Sequence, residues 1–103
     1  MILLFILSQK IIPMAIVKFT TNLKRFYPEL EPTTVQGETI AEVLQEIENL
    51  HKGIKDYIVD EADELRKHVN IFIGNELIKD RQTLGDAVKP DDEIYIMQAL
   101  SGG

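Results

Sequence analysis

The fold class this sequence predicts is α+β: one mixed sheet of four to five strands packed on one main helix. Three observations predict it. Residues 15–21 alternate, with Val17 and Phe19 on one face and Ile16, Lys18 and Thr20 on the other, the period of a half-buried strand. A single long stretch repeats at helical spacing, where Ile40, Val43, Leu44, Ile47 and Leu50 make one apolar stripe. The further strand-like runs then give the order strand, strand, helix, strand, short strand, strand. One amphipathic helix covers one face of one sheet, and right-handed crossovers leave few ways to arrange that.

The elements follow in order. Leu23 continues the inward series of the first strand, and residues 22–32, with two prolines, read as a wide turn. Residues 33–36 form a short second strand, antiparallel to the first on loop length, and Gly37 closes it. Thr39 is an N-cap residue with Glu42 three positions on, the pattern of a capping box. Glu42, Gln45, Glu46, Glu48 and Asn49 take the wet face of the helix, and Gly53 stops or kinks it. Ile54, Tyr57 and Ile58 add one more turn against the core, and residues 60–64 are an acidic, solvated loop. Residues 69–73 form the third strand, Gly74 and Asn75 a tight turn, and residues 76–78 a brief pairing partner. A single helical turn is expected over residues 83–88, with Leu84, Ala87 and Val88 inward. Residues 89–92 turn the chain into the final strand from Ile94.

Length and composition narrow the function. A chain of 103 residues is one domain. It buries roughly 60–68 % of its unfolded surface, enough for one modest core. Net charge is −6 and the sequence pI about 4.8, which argues against a nucleic-acid partner and suits docking on a basic surface. With no cysteine there is no disulfide, thiolate metal site or cysteine nucleophile, so any thiol must come from another protein. His51 and His68 are far apart and read as surface or helix-end residues, so no metal site is expected. No phosphate-cradling loop is present, and Ser101 is not set in a nucleophile elbow. The expectation is a protein that catalyses nothing alone and binds no cofactor.

The two ends differ from the domain between them. Residues 1–13 contain the apolar run 2–7, too short for a membrane span, and their one lysine follows that run, unlike a signal peptide. They read as an N-terminal extension upstream of a native start at Met14, or as a short hydrophobic peg; no membrane partner and a cytoplasmic location are expected. Residues 14–98 make the domain. Residues 99–103, Ala99, Leu100, Ser101, Gly102 and Gly103, read as a flexible Gly-Gly tail. A frayed end or a cloning remnant explains two terminal glycines blandly. Chemistry offers more: a carboxylate must be activated before it reacts, and glycine lets a backbone enter a narrow channel. Five extended residues reach roughly 16–18 Å.

At this point the sequence resembles the MoaD/ThiS family of ubiquitin-like β-grasp sulfur carriers. The likeness rests on the two strands and capped helix, on residues 65–75 with Val69-Asn70-Ile71-Phe72-Ile73, on the turn of residues 89–94, and on the tail. One departure is Gln98-Ala99, where many members have proline. The resemblance implies that an E1-like adenylating enzyme uses ATP to activate Gly103, that a sulfur donor converts the acyl-adenylate to a thiocarboxylate, and that a synthase large subunit or another sulfur-accepting enzyme takes the sulfur. Ala99, Leu100, Ser101 and Gly102 would then thread into the partners' channels. The length favours the molybdopterin or cysteine-biosynthesis type over the shorter thiamine carriers. The same tail also serves a protein modifier that bonds to lysines, and a binding subunit with an incidental Gly-Gly is the third reading.

Alternation suggests the partner face. If Val69, Ile71 and Ile73 face the helix, Phe72 points away; if Ile94 and Ile96 face in, Tyr95 and Met97 point out. Phe72, Tyr95 and Met97 then form an apolar interface patch beside the tail, unless residues 22–32 or the N-terminal extension cover them.

Overall fold

The computed structural model describes residues 14–98. The extension at residues 1–13 and the tail at residues 99–103 lie outside them.

Five strands form one mixed sheet: β1 (Met14–Phe19), β2 (Thr33–Gln36), β3 (Val69–Ile73), β4 (Glu76–Leu77) and β5 (Glu93–Gln98), in the order β2-β1-β5-β3-β4. β1 pairs antiparallel with β2 and parallel with β5, while β3 runs antiparallel to both β5 and β4. The helices are α1 (Thr21–Lys24), α2 (Ile40–Leu50) and α3 (Lys55–Ile58). The predicted mixed sheet on one main helix is therefore the observed architecture.

The core lies between the sheet and α2. Val17, Val69, Ile71, Ile94 and Ile96 from the sheet are fully buried, as are Ile40, Val43, Leu44 and Ile47 from the helix. Each such side chain contributes about 1.5–3 kcal/mol relative to exposure. Gly37 permits the close approach of β2 to α2: a Cβ there would meet Val43 Cγ2 at 2.8 Å and Val43 N at 3.0 Å.

The start of α2 follows the predicted cap with one change. The Thr39 hydroxyl accepts a hydrogen bond from the Glu42 N–H at 3.2 Å, but the Glu42 carboxylate accepts from the Glu38 N–H at 2.9 Å, one residue before the N-cap. The far end of α2 departs further. Leu50, expected in the apolar stripe, is 56 % exposed, because α2 ends at this residue and the chain turns away. Glu48, expected on the wet face, instead holds that turn. Its carboxylate accepts the N–H groups of Gly53 at 2.8 Å and Lys55 at 2.9 Å. These backbone bonds keep its carboxyl below the ordinary carboxylate range. Gly53 takes the left-handed φ of 91° that this corner requires.

Two further expectations are corrected. The first strand stops at Phe19, not Thr21, and Thr21 opens the short helix α1, which delivers Leu23 to the core. Residues 83–88 form no helical turn. Asp80 accepts hydrogen bonds from the N–H groups of Gln82, Thr83 and Gly85, capturing donors for a turn, and Leu84 has φ 57°, in the left-handed region. Leu84 and Val88 are buried as expected, but Ala87 is exposed.

Candidate functional site

The sheet order sets β5 in the middle, so the strand that leads into the tail is held on both sides. Gln98, the last described residue, pairs with Val69 of β3. On the other side its N–H donates to the Thr20 hydroxyl at 3.2 Å, and the Thr20 N–H donates to the Ile96 carbonyl at 3.1 Å. The Gln98 side-chain amide lies 3.5 Å from His68 Nε2. The domain thus presents a firmly anchored root from which residues 99–103 continue. Gly103, Gly102, Ser101, Leu100 and Ala99 themselves fall outside the described residues.

Among the described residues the face of the sheet away from α2 is open. Lys18, Tyr95, Phe72 and Leu77 lie in register across β1, β5, β3 and β4. Tyr95 is 38 % and Met97 40 % exposed, Phe72 is half-buried, and Ile16 and Leu77 extend the apolar area. Ile71, between Asn70 and Phe72, is fully buried on the other face. Ile73 is half-buried against the core. The apolar and aromatic side chains of residues 22–32 pack elsewhere, with Leu23 in the core. Phe26 stacks on Tyr57 of α3 with ring centroids 4.8 Å apart, the Tyr27 hydroxyl donates to the Lys52 carbonyl at 3.1 Å, and Leu30 is buried.

One ion pair crosses this face. Lys18 Nζ lies 2.8 Å from Glu93 Oε1. The hydrogen bond and the lysine charge hold the Glu93 carboxyl below its ordinary range. Both side chains are well exposed, so the pair does little for stability and adds polarity beside the apolar strip.

A set of residues around the root was not singled out from the sequence. Asp56, Tyr57, Arg66, His68 and Gln98 line a shallow hollow of about 280 Å³ beside the end of β5. Arg66 Nε donates to the Asp56 carbonyl at 2.9 Å, which fixes its guanidinium there. These residues come from three separate segments, and no spacing rule joins them. Among the described residues no group of three or more histidines, aspartates or glutamates is gathered as a metal would need. Among them, too, no helix is long and apolar enough to cross a membrane.

A mixed five-stranded sheet wrapped on one helix, with a central last strand running out into a Gly-Gly sequence, defines a ubiquitin-like β-grasp protein. Solved structures agree. A chain of the Amycolatopsis orientalis BexX/CysO complex is 27 % identical, with a TM-score of 0.75 over 86 % of this chain and 99 % of that one. Small archaeal modifier protein 1 of Methanosarcina acetivorans is 26 % identical, with a TM-score of 0.73 over 91 % of this chain and 100 % of that one. In sequence, the sulfur carrier protein CysO of Mycobacterium tuberculosis is 26 % identical over 72 residues, 68 % of this chain and 77 % of that protein. The sequence model of the ThiS family matches residues 17–103. The chain belongs to the ThiS family of ubiquitin-like sulfur carriers.

Proposed function

We propose that this protein carries sulfur on the carboxyl group of Gly103. The observation that supports this most is that the family match extends through Gly103 itself, on a domain whose central strand leads directly into that end. In the proposed cycle an E1-like adenylating enzyme binds the chain. The Gly103 carboxylate attacks the α-phosphorus of ATP and expels pyrophosphate. A sulfur nucleophile at the sulfide oxidation level then displaces AMP, which leaves a thiocarboxylate. A synthase large subunit or another sulfur-accepting enzyme, in molybdenum cofactor or cysteine biosynthesis, takes the sulfur, and hydrolysis by water restores the carboxylate.

The chain itself acts as handle and carrier, not as catalyst. Phe72, Tyr95 and Met97 are the proposed partner face, where apolar side chains on the open sheet give up water on docking. Ala99, Leu100, Ser101 and Gly102 are proposed to thread through the partner's channel, where small side chains let the backbone pass. ATP belongs to the activating partner.

The likeness to small archaeal modifier protein 1 favours a second reading, in which Gly103 forms isopeptide bonds with lysines of other proteins. Both readings need the same activation. The test is ATP–pyrophosphate exchange catalysed by the E1-like enzyme of the same organism: exchange that needs the full chain and is lost when Gly103 is deleted supports activation. Equal exchange without Gly103 contradicts it.

A further inference from the structure

The last rung that holds β5 on the β1 side is made by a side chain. In the parallel β1–β5 pair the Ile16 N–H donates to the Asp92 carbonyl at 2.9 Å, and the Thr20 N–H donates to the Ile96 carbonyl at 3.1 Å. A parallel ladder is evenly spaced, so a residue that donates to one carbonyl receives the N–H two residues further on. The next rung would therefore run from the Gln98 N–H to the Thr20 carbonyl. But β1 has ended at Phe19 and α1 opens at Thr21. Thr20 stands at the N-cap position, where the carbonyl turns into the first helical turn. Its hydroxyl takes the carbonyl's place and accepts the Gln98 N–H at 3.2 Å. An N-cap hydroxyl ordinarily accepts from its own helix. The one on Thr20 is given instead to the strand that leads into the tail. A side chain replaces missing backbone on the other flank too. β4 pairs with Phe72 and Ile73 and does not reach Val69, the strand partner of Gln98. There Arg81 Nη2 donates to the Val69 carbonyl at 2.9 Å and to the Arg66 carbonyl at 2.7 Å.

We infer that Thr20 is a positioning residue for the chemistry at Gly103, because its hydroxyl fixes the point from which the tail extends. The inference rests on the carrier reading and adds to it a residue outside both the tail and the partner face. With Gln98 held, the five residues beyond it reach at most roughly 16–18 Å. Without the Thr20 acceptor the last rung on this side lies at Ile96, and the seven residues beyond that reach roughly 23–25 Å. A longer tether spreads the Gly103 carboxylate over more positions. It lowers the fraction of time the carboxylate spends in line with the α-phosphorus of ATP. Phe72 and Tyr95 stay paired across β3 and β5, so docking through the open face is retained. The loss therefore falls on kcat and not on KM.

The test uses two full-length variants. Thr20→Val keeps the branched shape and removes the acceptor, while Thr20→Ser keeps the hydroxyl. Each is assayed in ATP–pyrophosphate exchange with the E1-like enzyme of the same organism, and its amide hydrogen exchange is followed by NMR. Thr20→Val is expected to speed hydrogen exchange at the Gln98 amide by about three- to tenfold and to leave the Ile71 amide unchanged. It is expected to lower kcat by about threefold or more, with KM within about twofold of wild type. Thr20→Ser is expected to stay within about twofold of wild type in both readouts. Gly37→Ala controls for stability alone, since Gly37 follows Gln36, the partner of Met14 at the opposite end of β1. It is expected to leave kcat unchanged. A wild-type kcat in Thr20→Val, or an equal fall in Gly37→Ala or Thr20→Ser, would overturn the inference while leaving the carrier reading standing. Wild-type chain that supports no exchange would overturn both.

Discussion

Phe72 lies directly opposite Tyr95 across the β3–β5 pair, on the open face of the sheet, while the adjacent Ile71 lies opposite Ile96 in the core. Neighbouring residues of one strand thus have separable tasks. Phe72→Asp is expected to leave a folded domain and weaken partner binding by about 1–2 kcal/mol or more. Ile71→Asp buries an unpaired carboxylate and is expected to cost more than about 4 kcal/mol, enough to unfold most of the population. Circular dichroism and a binding assay on both variants check this; an unfolded Phe72→Asp would mean that the faces are wrongly assigned.

Gly37 is needed for space. The Cβ of an alanine there would sit 2.8 Å from Val43 Cγ2 and 3.0 Å from the Val43 backbone nitrogen. Backbone cannot retreat as a flexible side chain does, so Gly37→Ala is expected to destabilise by about 1–3 kcal/mol. Chemical denaturation measures it, and an unchanged midpoint would show that β2 and α2 separate freely.

The ends of the α2 stripe are not equivalent. Ile47 is fully buried and Leu50 is exposed. Ile47→Ala is expected to cost about 2–5 kcal/mol. Leu50→Ala should stay within about 0.5 kcal/mol. Equal losses in thermal melts would place Leu50 back in the core.

Acid should act on the loop after β4 in the window below about pH 4. The Thr83 hydroxyl and the Thr83 and Gly85 N–H groups hold the Asp80 carboxyl down to about 2, from an ordinary value of 3.8. A depressed carboxyl stabilises the fold fully above its unfolded value, and that contribution is lost as pH falls from about 4 towards 2. Asp80→Asn is expected to flatten the stability profile in this window and leave the slope near neutral pH unchanged. An identical acid profile in the two proteins would assign the acid sensitivity elsewhere.

Much of the fold could be read from the residues because each main element buries one face and repeats with its own period. The alternation of Val17 and Phe19, the stripe from Ile40 to Ile47 and the run Val69 to Ile73 all carry that signal. Two of the misreadings share one cause: a polar side chain near in sequence captured backbone groups that periodicity alone assigns elsewhere. Asp80 did so before Leu84, and Glu48 did so after Leu50. The outward direction of Phe72, Tyr95 and Met97 was legible because strands alternate. The hollow beside Gln98 was not, since Tyr57, Arg66 and Gln98 meet only through the tertiary fold.

The most direct test of sulfur carriage is the intact mass of the protein purified from its own cells before any reducing or alkylating step. One oxygen replaced by sulfur, with the change localised to the peptide that ends in Gly103, is the predicted result. An unmodified end, even after incubation with the activating enzyme, ATP and a sulfur donor, would contradict the carrier account, and Gly103 found instead bonded to lysines of other proteins would assign the tail to protein modification.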